Sequence, residues 1–301
     1  MTRDTGIPHA TPLPFLAPIL FRGPDAAGFL QGQLTNDVQL LADGRTQLAA
    51  CITPQGRVIA LLRLRQAAQD AAPDIVALLP AELAQPVMDR LRKFVLRARV
   101  EILSPEDWRC VLAPADTALA DGPPATWMAR LSSLMFDFGG GRRVVAGPAS
   151  AQPASADATD IGAAGGDRVE ERWAAAGIAA GLPELSAATS GSFVPQMLNL
   201  DLLAGISFSK GCYTGQEIVA RTQNLGRIKR RCFRYRVAAD AALPALQGLH
   251  KDGAKVGEIL MSTPVDGGVE LLAVVSLDAR DWPLRTESGH TAMPLAVPYT
   301  V

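Results

Sequence analysis

The sequence predicts an α+β protein that ends in an antiparallel β unit, on three observations. Strand-like and helix-like segments mix along residues 1–225 with no regular βαβ alternation. From Ile228 onward, short β-rich runs are divided by Gly, Pro and Asp turns, as in a small barrel or sandwich. The chain of 301 residues, 48% hydrophobic and 20% charged, is long enough for a large core split between domains.

The elements follow in order. Pro24 and Asp25 suit the start of a helix within Gly23–Leu34. Residues 51–65, CITPQGRVIALLRLR, break at Pro54-Gln55-Gly56 and then run apolar, which predicts a hairpin. Asp74–Pro80 reads as a strand, and Ala81–Lys93 as a helix with Leu83, Val87 and Leu91 on one face. Leu96–Ile102 alternates with period two, predicting a half-buried strand. Trp108–Ala113 and Arg142–Ala146 predict two more. Residues 147–167, rich in Ala, Ser, Pro and Gly, predict a mobile loop before a helix at Arg168–Ala176. Phe233–Val237, Val256–Met261 and Val269–Leu277 are the strands expected in the last unit.

Bulk properties exclude several classes. No apolar run reaches the ~20 residues of a membrane-spanning helix. The first residues lack the basic and apolar blocks of a secretory leader, so a cytoplasmic location is expected. Net charge is -1, which asks for no nucleic-acid or membrane partner. Cys51, Cys110, Cys212 and Cys232 are too scattered for a disulfide scaffold or a local metal site, so no resident metal is expected.

The densest chemistry lies in residues 207–221, SFSKGCYTGQEIVAR. Thr214-Gly215-Gln216-Glu217 fits the capping box, with Thr214 capping a helix and Glu217 reaching back. Cys212 would then sit just ahead of a helix N-terminus with Lys210 two residues before it, and both would favour its thiolate. Gly211 and Gly215 permit unusual backbone angles. Two readings stand: a capped helix with a structural cysteine, or a functional thiol placed by that helix.

These residues carry a resemblance. KGCYTGQEIVAR, with Phe193–Asp201 before it and Leu225–Arg231 after it, resembles the YgfZ family of folate-binding proteins. Phe29–Val38 (FLQGQLTNDV) and Pro54–Arg57 (PQGR) are similar to that family too. The resemblance implies the fold of the glycine cleavage aminomethyltransferase: two intertwined α+β lobes around a tetrahydrofolate-binding hollow in residues 1–225, and a β-barrel in 226–301. It implies a role in assembling or maintaining iron–sulfur clusters, including those of tRNA-modifying enzymes, with iron–sulfur client or carrier proteins as partners and a cluster held at most transiently. It sets Cys212 as the functional thiol, beside Lys210, Tyr213, Gly215, Gln216 and Glu217. Cys212 stands where the aminomethyltransferase turn has an acid, and Phe136–Gly141 (FDFGGG) gives no match to that enzyme's pterin-reading stretch. Both departures argue against glycine-cleavage chemistry.

A pterin needs a carboxylate for its N–H groups, apolar walls, and cations for its glutamate tail. Asp37, Asp201 and Glu217 are the carboxylates in family-like segments, each with a plain alternative as a turn, cap or capping-box residue. The run Arg227, Lys229, Arg230, Arg231, Arg234 and Arg236 suits an acidic tail or RNA, or else an exposed strand face. A folate-binding accessory protein is the expected function. A folate-dependent one-carbon transferase or demethylase, and a tRNA-binding module, are the alternatives.

Overall fold

The computed structural model describes residues 11–41, 45–67, 74–113, 134–151, 166–224 and 226–301. The first sheet has five antiparallel strands: β1 (Leu16–Arg22), β2 (Gln47–Ile52), β3 (Val58–Gln66), β4 (Ile75–Pro80) and β5 (Glu101–Leu103), in the order β2-β3-β4-β1-β5. β2 and β3 form the expected hairpin, closed where Thr53 N donates to Arg57 O at 2.8 Å. Gly56, with φ +72°, supplies the left-handed residue that this turn needs. Two helices cover the sheet. α1 (Ala26–Gln31) buries Phe29 and Leu30, and α2 (Ala81–Arg92) buries Leu83, Val87 and Leu91, the stripe its spacing predicts.

A second sheet holds β6 (Trp108–Leu112), β7 (Leu134–Gly139) and β8 (Arg142–Pro148), ordered β6-β8-β7. It packs on the first through a shared apolar cluster that includes Leu16, Leu20, Leu78, Phe136 and Phe138. The helix α3 (Gly166–Ala179) adds Trp173 to this cluster. A further helix, α4 (Gln216–Asn224), precedes the last unit.

That unit is a closed antiparallel barrel of β9 (Arg230–Val237), β10 (Gly248–Lys251), β11 (Ala254–Val265), β12 (Gly268–Ser276), β13 (Leu284–Thr286) and β14 (Thr291–Leu295). Its order is β10-β11-β12-β9-β14-β13, and β13 pairs back onto β10, so no edge is left open. Tyr235, Leu271 and Leu284 fill its interior.

Three expectations shift. The strand expected at Leu96–Ile102 shrinks to β5, and Leu96 is 86% exposed. The Asp25 carboxylate accepts from Arg99 N at 2.8 Å, which takes that amide away from any ladder. Helix α1 begins at Ala26, so Pro24 and Asp25 precede its first turn. Of the loop expected at 147–167, Gly147 and Pro148 belong to β8 and Ala149–Ala151 form a 3-10 turn, while residues 152–165 lie outside those described.

Candidate functional site

The SFSKGCYTG stretch is a turn seated on the β2 side of the five-stranded sheet. Lys210 reaches inward, only 7% exposed, and its Nζ donates to the carbonyls of Gln31, Leu34 and Asn36 at 2.7, 2.8 and 2.8 Å. Those carbonyls are left free by the end of α1 and the loop after it, so the ammonium takes the place of a helix C-cap. Burial draws the lysine pKa down to about 8, with the Asp37 charge pulling the other way. Nζ also lies 5.0 Å from the Tyr213 ring, and burial pushes the Tyr213 hydroxyl up to about 12.

Lys210 is therefore not the free cation beside Cys212 that its spacing suggests. Three main-chain bonds, Ser207 N to Thr35 O, Thr35 N to Ala50 O and Thr214 N to Gly32 O, tie the turn to the 32–35 loop and that loop to β2. Gly215 has φ +78°, and a Cβ there would stand 2.4 Å from Thr53 O. The segments 29–38, 54–57 and 207–221, far apart in sequence, thus meet at one seat. Cys212 is exposed on its outer side, whereas Cys51, Cys110 and Cys232 are buried.

The capping box does not form. Helix α4 starts at Gln216, which leaves the cap position to Gly215, and the exposed Glu217 carboxylate pairs with Arg221 at 2.6 Å, one turn on. Asp37 sits in the same seat, accepting from Gln31 Nε2 at 2.9 Å and Gln39 N at 3.1 Å, which makes it the cap of the following 3-10 turn.

A second feature lies on the sheet's face, toward β7. A narrow cleft is walled by Leu16, Leu61, Leu79 and Phe138 and carries two charged groups, Arg63 and Glu184. The Glu184 carboxylate is fixed from behind: Trp173 Nε1 lies 3.1 Å from each oxygen, and Arg142 Nη1 donates to Oε1. Arg142 in turn stacks 4.6 Å from the Trp173 ring. Arg63 is 6% exposed, and its guanidinium lies 5.2 Å from the centre of the Phe138 ring. Among the described residues it makes no hydrogen bond or ion pair. Burial, helped by the Arg142 charge, lowers its pKa to about 10, with the Glu184 and Asp137 charges pulling the other way, so it stays cationic at neutral pH.

The chain is 32% identical over 269 residues to the tRNA-modifying protein YgfZ of Klebsiella pneumoniae, covering 84% of this chain and 80% of that one. The namesake from Edwardsiella ictaluri is 32% identical over 290 residues, with 87% and 82% covered. The chain belongs to the YgfZ family. No family model matches it. Its fold is that of the glycine cleavage system aminomethyltransferase T from Bartonella henselae, with TM-score 0.67 and 17% identity over 96% of this chain and 86% of that one.

For this YgfZ-family chain, Asp201 lies at the junction of lobe and barrel. Its carboxylate is nearly buried and takes both arms of Arg231, at 3.0 and 2.7 Å. Part of the basic run is taken up in the same way, since Arg234 pairs with Glu270 at 2.6 Å and Arg236 lies 3.9 Å from it, whereas Arg227 and Lys229 are exposed. That strand has covered faces, with Cys232 on one side and Tyr235 and Val237 on the other. Sequence reasoning missed Arg63, Phe138, Trp173 and Glu184. The signal for Arg63 was a charge inside the apolar run ALLRL; Glu184, in GLPEL, carried none. No described helix is long and apolar enough to cross a membrane.

Proposed function

We propose that this protein binds a folate in the cleft between its two sheets and serves the upkeep of iron–sulfur enzymes, including enzymes that modify tRNA. The relatives named tRNA-modifying protein support the last part, and the aminomethyltransferase fold supports a folate. The observation that carries the reading is the polar end of the cleft. It offers one anchored carboxylate and one guanidinium that makes no hydrogen bond among the described residues, between apolar walls. That donor set fits a flat heterocycle with N–H groups and a ring oxygen.

A reduced folate supplies a carrier of one-carbon units or electrons. Glu184 would accept from the ring N–H groups, and Leu16, Leu61 and Phe138 would exclude water from its faces. Cys212, held outward by the Lys210 clamp, is the thiol available to a client or carrier protein, either to take up iron–sulfur intermediates or to exchange a disulfide. The exposed Phe208 nearby gives such a partner an apolar contact.

Two measurements test the two halves. Calorimetry with tetrahydrofolate should give a single saturable site; a flat titration removes the folate half. In cells lacking the protein, C212S should fail to restore tRNA modification and iron–sulfur enzyme activity. Full rescue by C212S removes the thiol half.

A further inference from the structure

We infer that the exposed loop after α2, with Lys93, Phe94, Leu96 and Arg97, is the docking surface for a protein partner with an acidic rim, and that Cys212 meets this same partner. The inference rests on the reading of Cys212 as a thiol that serves another protein, and goes further by giving the surface and the partner's chemistry.

Two apolar side chains stand in water here. Phe94 is 39% exposed and Leu96 86%, the highest value for a large apolar side chain among the described residues. Single exposed apolar residues are ordinary, but this pair lies within a run of five cations, Arg90, Arg92, Lys93, Arg97 and Arg99, with no acid between them. Three of the five are used inside the fold. Arg92 pairs with Asp89 at 3.3 Å and Arg99 with Asp25 at 3.2 Å, while Arg90 donates to Ile52 O at 3.3 Å and lies 5.7 Å from the centre of the Phe94 ring. Lys93 and Arg97 are exposed and make no hydrogen bond or ion pair among the described residues. An apolar centre framed by unpaired cations is the complement of a protein surface with an apolar contact and an acidic rim. A nucleic acid asks for something else, since two unpaired cations meet few phosphates and a leucine offers no face for a base to stack on. A second copy meeting the same patch across a twofold axis would set like charges against each other.

The loop is a neighbour of the Cys212 turn. Helix α1 has six residues and is therefore about 9 Å long. Asp25, just before its start, accepts from Arg99 N, and Gly32 O, just past its end, accepts from Thr214 N. On the other side only Ile52 intervenes: its carbonyl accepts from Arg90, and a Cβ on Gly215 would stand 2.8 Å from its side chain. One interface of ordinary size, about 800 Å² on each partner, is wide enough to cover both the loop and the turn.

The test uses the whole protein, in cells that lack the native copy and at titrated expression, with L96D, K93E/R97E and C212S as variants. L96D and K93E/R97E alter only exposed side chains, so each should keep the melting temperature of wild type and its rate of Cys212 alkylation. Each should nevertheless need about tenfold more protein than wild type to restore iron–sulfur enzyme activity, the effect of losing a central contact or the charge match of an interface. Full rescue by both at wild-type expression, with C212S inactive, overturns the inference and leaves the thiol reading intact. Full rescue by C212S removes the thiol reading, and the shared partner with it. A photo-crosslinking side chain placed at position 96 and a disulfide trap at Cys212 should capture one and the same protein, and two different proteins overturn the inference. Two further outcomes with purified protein also overturn it. Binding of bulk tRNA at physiological salt that K93E/R97E abolishes assigns the patch to RNA, and a dimer in sedimentation that L96D dissolves assigns it to a second copy.

Discussion

Lys210 and Arg63 are buried to nearly the same degree, one at the turn that carries Cys212 and the other in the cleft, yet they are handled in opposite ways. Lys210 has three carbonyls for its three N–H donors. Arg63 has an aromatic ring and, among the described residues, no hydrogen-bond acceptor, with only the charges of Glu184 and Asp137 acting on it from nearby. The comparison teaches that burial of a charge does not by itself mark a working site. A charge whose donors are all met is part of the scaffold, and one without direct acceptors stays open to water or to a ligand.

The largest expected effect tests the scaffold side. K210M removes the ammonium and leaves three carbonyls without their donor, and should lower the unfolding free energy by about 3 kcal/mol in denaturant titrations. R63M, in contrast, should leave it unchanged or higher. Equal losses in the two variants would break the comparison, since both cations would then be structural. G215A should cost about 2 kcal/mol, because alanine is strained at φ +78° and its methyl would meet Thr53 O. A smaller loss would mean that the turn can shift off its seat. The last prediction leaves stability alone. Alkylation at pH 8 followed by mass spectrometry should mark Cys212 alone, since burial raises the Cys51 thiol to about 11 and those of Cys110 and Cys232 to about 12. Rapid labelling of a second cysteine in the folded protein would contradict the packing described.

The sequence showed the local part of this architecture and little of the rest. The Pro54-Gln55-Gly56 hairpin, the α2 stripe and the barrel strands were legible because turn chemistry and side-chain period are properties of neighbouring residues. The motif was legible as a place and misread in its workings. Thr214 and Glu217 have capping-box spacing, but Gly215 takes the left-handed angle, so the helix starts later and the glutamate faces Arg221. Lys210 stands two residues from Cys212, yet its partners lie in the 31–36 segment. Asp201 was singled out as a carboxylate, but its partner Arg231 lies on a barrel strand that residues near Asp201 do not announce. The cleft was invisible because Arg63, Phe138, Trp173 and Glu184 come from four separate segments, and only the packing of one sheet on another brings them together.

The lysine clamp has a consequence for how the molecule comes to exist. Its three bonds join residues 179, 176 and 174 positions apart, so the first lobe waits for most of the chain before the end of α1 is capped. Contacts of such long range form late in folding, after the loop-closure entropy has been met. During synthesis the N-terminal strands can pair, but the thiol has no seat until Lys210 has emerged and docked. Completion of the lobe and presentation of Cys212 are therefore one event, and a truncated chain would display neither.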